Sequence, residues 1–106
     1  MGAFMKDLLE LRNEIDEIDN QIVELYEKRM EIAEGVAQYK IANNKPVFDR
    51  DREHSKLRTL SEKAHSDFNR NGIRELFDQI MAMSRKKQYQ LLSVNGIKEA
   101  TEFTPV

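Results

Sequence analysis

The sequence predicts an all-α fold with three helices, the first of them very long. Apolar residues recur at alternating spacings of three and four from Leu8 to Tyr39, and helical spacing returns after Asn71. The chain has 106 residues, of which 40% are hydrophobic and 34% charged, as is usual for one soluble helical domain. These observations together favour a single helical domain.

The first predicted helix runs from about Asp7 to Ala42 and ends before Pro46, because a residue that precedes proline is disfavoured in helical geometry. Arg29 alone interrupts its apolar seam, and a guanidinium in such a seam is costly unless an anion or several acceptors meet it. Gly35 weakens the helix by roughly 1 kcal/mol relative to alanine, which predicts a ligand or another backbone close to it. The seam consists of Leu8, Leu11, Ile15, Ile18, Ile22, Leu25, Ile32, Val36 and Tyr39.

Two shorter helices are predicted after the first. The second has Asp49 as its N-cap and reaches about His65. A polar connection over 66–70 leads to the third, from about Asn71 to Leu92. The predicted inward residues of the second helix are Leu57, Leu60 and Ala64, and the third helix carries Ile73, Leu76, Phe77, Ile80 and Leu91 at helical spacing.

The length of the first helix predicts a homodimer. About 36 residues extend about 54 Å, whereas the other two helices, near 26 and 33 Å, cannot cover the whole seam. A second copy is the simplest cover, because two-fold symmetric dimers are the commonest homo-oligomers. We interpret 1–5 as an N-terminal extension, 6–92 as the domain, and 93–106 as a tail or linker, since the last residues lack periodicity.

Composition argues against several classes of protein. No apolar run approaches the roughly 20 residues of a transmembrane helix, and the first residues lack the apolar stretch of a signal peptide, so we expect a cytoplasmic location and no membrane partner. The chain has no cysteine and only two isolated histidines, His54 and His65, so we expect no metal site. A net charge of −2 gives no general attraction to nucleic acid.

Four polar side chains interrupt or border apolar faces. Arg29 and Lys40 share one stripe of the first helix, about 16 Å apart. Ser84 and Gln88 lie one turn apart on the third, where apolar residues are expected. Taken singly, each has a structural explanation, as a residue that sets helix register or bonds a backbone carbonyl one turn back. Together they supply hydrogen-bond donors without a fixed negative charge, which favours a buried pocket for a small organic anion.

The charged positions resemble those of the all-helical family of chorismate mutases in identity, order and spacing. The resemblance covers about residues 6 to 92, and none of its site positions departs from the family pattern. It implies an intertwined homodimeric bundle with two active sites, each converting chorismate to prephenate on the way to phenylalanine and tyrosine. The tail resembles the linker that leads to a prephenate dehydratase domain in many relatives. The matching segments are Leu11-Arg12-Asn13-Glu14-Ile15-Asp16, Glu27-Lys28-Arg29, Lys40, Pro46-Val47-Phe48-Asp49-Arg50-Asp51-Arg52-Glu53, and Ser84 with Gln88.

The resemblance also implies a role for each site residue. Arg29 and Arg12 of the partner subunit would clamp the two substrate carboxylates, and Lys40 and Gln88 would donate to the ether oxygen. Glu53 would hold the ring hydroxyl. This unimolecular rearrangement needs no nucleophile, metal or redox cofactor, so we expect no cofactor. The other contacts to the carboxylates and hydroxyl would come from Asp49, Arg52 and Ser84.

Spacing favours a site shared between two chains. Arg12 and Arg29 are 17 positions apart, about 25 Å along a continuous helix, so one small ligand cannot contact both in one chain. Antiparallel pairing of two long helices would bring Arg12 of the partner subunit to the middle of the other helix. Two alternatives stay open: an isochorismate pyruvate lyase, which resembles this fold and shares its arginine and lysine pattern, and a dimerisation module without a ligand.

Overall fold

Three helices form the described part of the chain in this computed structural model, which describes residues 5–94. Helix α1 is Leu8–Ala42, α2 is Arg50–Glu62 and α3 is Asp67–Val94. No strand occurs among the described residues, which confirms the all-α prediction. Most of the predicted N-terminal extension and most of the predicted tail lie outside this range.

Helix α1 has 35 residues, with bounds close to those predicted. Asp7 caps its first turn, accepting a backbone hydrogen bond at 2.8 Å. The helix ends in a Schellman motif, in which the N–H of Lys45 donates to the carbonyl of Lys40 at 2.9 Å and that of Asn44 to Ile41 at 3.5 Å. Asn44 has a φ of 53°, a left-handed conformation that asparagine tolerates better than most residues. This turn directs the chain toward Pro46.

Helix α2 begins as predicted and ends earlier. Asp49 has extended backbone geometry, and its Oδ1 accepts a hydrogen bond from the backbone N–H of Arg52 at 3.0 Å. The helix ends at Glu62 rather than near His65. The backbone N–H groups that follow bond carbonyls three residues back, which tightens and closes the last turn.

Helix α3 begins at Asp67, so the prediction of a connection over 66–70 is wrong. The Ser66 hydroxyl accepts a hydrogen bond from the N–H of Asn69 at 3.1 Å, and Asp67 forms an ion pair with Arg70 at 2.6 Å. Polar residues that resemble a loop in sequence therefore cap and stabilise a helix start. The helix also continues two residues beyond the predicted end at Leu92, through the first residues of the predicted tail.

The chain divides into two compact units, Met1–Glu31 and Ile32–Val106. In the first unit, every described residue up to Lys28 is exposed. Its apolar seam is exposed as well, with values between 44% for Leu11 and 64% for Leu25. The first unit therefore buries none of this seam by itself.

In the second unit, α2 packs against α3. The residues predicted to face inward on the second helix are half-buried, and so are the helically spaced apolar residues of α3 except Leu76, which is 50% exposed. Its exposure follows from the direction of the buried stripe of α3, which runs along another face of the helix. A Cβ built at Gly35 would meet nothing within 4 Å, so no other described part of the chain makes the close approach predicted there. The buried hydrophobic residues are Ala33, Ala37, Val47, Met81 and Leu92.

Within residues 5–94, no helix is both long enough and apolar enough to cross a membrane.

Candidate active site

Lys40 and the segment after α1 line an open pocket of about 540 Å³, a volume suited to a small organic ligand. The Nζ of Lys40 donates a hydrogen bond to the carbonyl of Val47 at 2.6 Å. Val47 is buried, so this bond fixes the ammonium group against a packed part of the connection between α1 and α2. Lys40 and Asp49, both predicted as site residues, thus share one pocket. Its lining residues are Lys40, Lys45, Pro46, Phe48, Asp49, Arg50 and Asp51.

Glu53, on α2, is held by a residue of α3. Its Oε1 accepts a hydrogen bond from Nη1 of Arg85, and the two side chains form an ion pair. The Arg85 guanidinium also lies over the ring of Phe48, 5.0 Å from the centroid. Sequence reasoning identified Glu53 but missed Arg85. Its position directly after Ser84, beside the interrupted apolar face, is the signal that could have found it.

Ser84 and Gln88 lie in the buried stripe of α3, together with Met81 and Leu92. Ser84 is 7% exposed and Gln88 is 8% exposed, so both occupy positions where apolar residues are usual. The Oε1 atom of Gln88 is buried and has no hydrogen-bond partner among the described residues. An unbonded buried amide oxygen costs about 1 to 3 kcal/mol. Gln88 is therefore a poor residue for packing alone, which favours a role in contact with another molecule.

The predicted arginines are not brought together in one chain. Arg12 and Arg29 both belong to the first unit, and α1 is unbroken between them, so they are about 25 Å apart along the helix. Arg12 is exposed and Arg29 is half-buried. Arg52 is exposed in the first turn of α2. The chain by itself thus groups Lys40 with Asp49, but does not group the arginines around one ligand.

No three histidine, aspartate or glutamate side chains within the described range converge as metal ligands do. Lysine and arginine side chains line the pocket instead and can bind an organic anion through charge-assisted hydrogen bonds, while the aspartates beside them can accept hydrogen bonds from ligand hydroxyls.

Comparison with known proteins gives three relatives, two of which share a name. The bifunctional chorismate mutase/prephenate dehydratase of Buchnera aphidicola subsp. Schizaphis graminum is 40% identical over 90 residues, which are 82% of this chain and 23% of the relative. The protein of the same name from Buchnera aphidicola subsp. Baizongia pistaciae is 32% identical over 95 residues, which are 86% of this chain and 26% of the relative. The T-protein of Haemophilus influenzae is 35% identical over 65 residues, which are 58% of this chain and 17% of the relative.

This chain spans about a quarter of the length of the two Buchnera relatives. The family model described as chorismate mutase type II matches residues 11–89, a segment that includes most of α1, all of α2 and most of α3. Because this match covers most of the chain and agrees with the all-helical fold, the chain belongs to the chorismate mutase type II family.

Proposed function

We propose that this chain is a chorismate mutase, which converts chorismate to prephenate in the biosynthesis of aromatic amino acids. The observation that carries the proposal is the family match over residues 11–89, because that segment contains every proposed site residue. The pocket beside Lys40 supports it, since its size suits a small organic ligand and its lining carries three cationic side chains and two carboxylates.

The chemistry requires little of the protein beyond binding and charge stabilisation. A Claisen rearrangement is unimolecular, so the enzyme acts by holding the compact conformer of the substrate and by stabilising charge that develops in the transition state. Negative charge grows on the ether oxygen as the carbon–oxygen bond breaks. Donors fixed near this oxygen bind the transition state better than the ground state, which raises kcat.

Lys40 and Gln88 are the proposed donors to the ether oxygen. The bond from Lys40 to Val47 supports this role, because it orients the ammonium before any substrate binds. The burial of Gln88 also supports it, since its amide nitrogen can donate from a position where apolar residues are usual. The unbonded Oε1 of Gln88 can only accept, so it does not bear on this donor role. Neither group needs to lose a proton, so the site can act without a catalytic base.

The remaining proposed contacts hold the substrate in its reactive shape. Glu53 accepts a hydrogen bond from the ring hydroxyl, and Arg29 binds a carboxylate in the bidentate manner that guanidinium groups favour. Asp49, Arg52 and Ser84 complete the contacts to the carboxylates and the hydroxyl. The two ends of the substrate are thereby fixed while the central bonds rearrange.

The active chain is proposed to be a homodimer with shared sites. The exposed apolar seam supports this, because a monomer rarely exposes a continuous apolar stripe of this kind. The separation of Arg12 from Arg29 also supports it, since Arg12 of the partner subunit then supplies the second carboxylate clamp. A two-fold axis makes both sites equivalent.

We further propose that residues 6–92 form the mutase domain of a cytoplasmic protein, with 1–5 as an extension. The names of the Buchnera relatives support a second activity in a longer protein, to which the part of 93–106 beyond the end of α3 would be the linker.

The proposal is tested by following chorismate and prephenate in plain buffer with the purified chain, with isochorismate as the comparison substrate. We expect chorismate to be consumed and prephenate to form at equal rates with and without a chelator. Release of pyruvate from isochorismate, without turnover of chorismate, would assign the chain to lyase chemistry instead.

A further inference from the structure

Arg85 connects three parts of the second unit. It belongs to α3, pairs with Glu53 of α2, and lies over Phe48, which precedes α2 in the chain. Phe48 itself lines the pocket that contains Lys40. A single guanidinium thus joins the proposed hydroxyl acceptor to the wall of the proposed substrate pocket.

The contacts of Arg85 differ from those of an ordinary surface ion pair. Its side chain is 26% exposed and that of Glu53 is 19% exposed. On the same helix, Lys87 pairs with Glu34 at 3.2 Å, and both of those side chains are 41% exposed. Exposed pairs are screened by water and contribute little, whereas a partly buried charge-assisted hydrogen bond is stronger and holds its geometry.

We propose that Arg85 is a positioning residue that holds the Glu53 carboxylate in the orientation needed to accept the ring hydroxyl of the substrate, an inference that rests on the proposed function. The bond from Nη1 of Arg85 engages only the Oε1 atom of Glu53. An ionised carboxylate has a second oxygen with its own acceptor sites, so the same group can accept the hydroxyl.

Arginine suits this role better than lysine. A planar guanidinium can donate to a carboxylate at its edge while its face lies on an aromatic ring, and the two contacts of Arg85 use these two features. Without Arg85, the substrate itself would have to order the Glu53 side chain when it binds, and that ordering weakens binding.

The test is a double-mutant cycle measured as kcat/KM for chorismate. Arg85→Met should lower kcat/KM by about 10- to 100-fold, the range expected for loss of a hydrogen bond to a charged group. Arg85→Lys should recover part of this loss, because it restores the charge. In a Glu53→Gln background, Arg85→Met should change kcat/KM less than about two-fold. Residue 53 is then a neutral amide, so there is no carboxylate for Arg85 to position.

Lys87→Met is the matched control, since it removes an ion pair from the same helix but leaves Glu53 and Phe48 in place. It should leave kcat/KM within about two-fold of wild type. If circular dichroism shows that Arg85→Met does not fold, Arg85→Gln replaces it, with the same expected loss and the same recovery in Arg85→Lys.

Equal losses from Arg85→Met with Glu53 and with Glu53→Gln would show that Arg85 acts independently of Glu53 and would overturn the inference. Wild-type kinetics in folded Arg85→Met would also overturn it. A wild-type protein without chorismate turnover would reject the proposed function, and the inference with it, so the two failures are distinguishable.

Discussion

The two compact units differ in how much of their own apolar surface they bury. Every described residue from 5 to 28 is exposed, including the seam of α1 in the first unit. All the buried residues of the described range lie between Ala33 and Leu92, in the second unit. Most helical stability comes from packing an apolar face, so the first unit depends on another surface more than the second does, although Ile32 and Tyr39 of the second unit are also exposed. A partner chain would therefore stabilise the first unit most.

The largest effect is expected from a charge placed in the exposed seam. Ile18→Asp should dissociate the proposed dimer and reduce activity by more than about 1,000-fold, because burial of an unpaired carboxylate in an apolar interface is strongly unfavourable. Asn20→Asp is the matched control, since residue 20 lies about 200° around the helix from Ile18. Sedimentation velocity and chorismate turnover measure both effects. A fully active monomeric Ile18→Asp protein would show that the seam is not an interface.

Loss of the pocket ammonium should have the next largest effect. Lys40→Ala should lower kcat by about 10² to 10³-fold, the usual cost of removing one donor to developing negative charge. Lys45→Ala is the control, because Lys45 lines the same pocket and has no proposed contact with the ether oxygen. Steady-state measurements of kcat for chorismate compare the two variants. Equal losses in both variants would mean that the pocket needs only positive charge, not a donor at residue 40.

Gln88→Glu should produce a loss that depends on pH. At pH 7.5 the new side chain is a carboxylate, which repels the charge on the ether oxygen, and we expect about a 100-fold lower kcat than wild type. Burial raises the pKa of a carboxyl above its ordinary value of about 4.3, so protonation should restore a donor as the pH falls toward 5. The ratio of variant to wild-type kcat should therefore rise with acidity. If the ratio of variant to wild-type kcat is the same at pH 7.5 and at pH 5, Gln88 does not contact the ether oxygen of the breaking bond.

The smallest effect is expected at the turn that ends α1. Asn44→Ala should lower the free energy of unfolding by about 1 kcal/mol, because alanine is strained at a φ of 53°. Asn44→Gly, in which glycine tolerates this conformation, should cost less. Urea denaturation of both variants compares them. Identical stabilities would mean that this turn does not limit the stability of the second unit.

The sequence predicted most of the fold because its clearest signals are local. The alternating seam and Pro46 gave the bounds of α1, and Asp49 marked the start of α2. The start of α3 was missed because serine and aspartate occur both in loops and at helix caps, and only the hydrogen bond to Ser66 distinguishes the two. Periodicity also groups Leu76 with the apolar residues of α3, but it cannot show that Leu76 is half exposed in the folded chain.

Fewer features of the candidate site could be predicted. Lys40 and Asp49 share a pocket in the structure, and Ser84 and Gln88 are buried, in line with the interrupted stripes. The pairing of Arg85 with Glu53 could not be found from spacing, because the two residues are 32 positions apart on different helices. The homodimer stays a prediction, since the surface that would cover the seam belongs to a second chain.

A mixing experiment tests the shared active site most directly. Arg12→Ala and Lys40→Ala proteins are unfolded, combined in equal amounts and refolded. If each site takes Arg12 from one chain and Lys40 from the other, random pairing makes half of the dimers mixed, each with one intact site, so about a quarter of wild-type activity should return. A well-folded, dimeric mixture that remains as inactive as its two components would contradict the shared-site account.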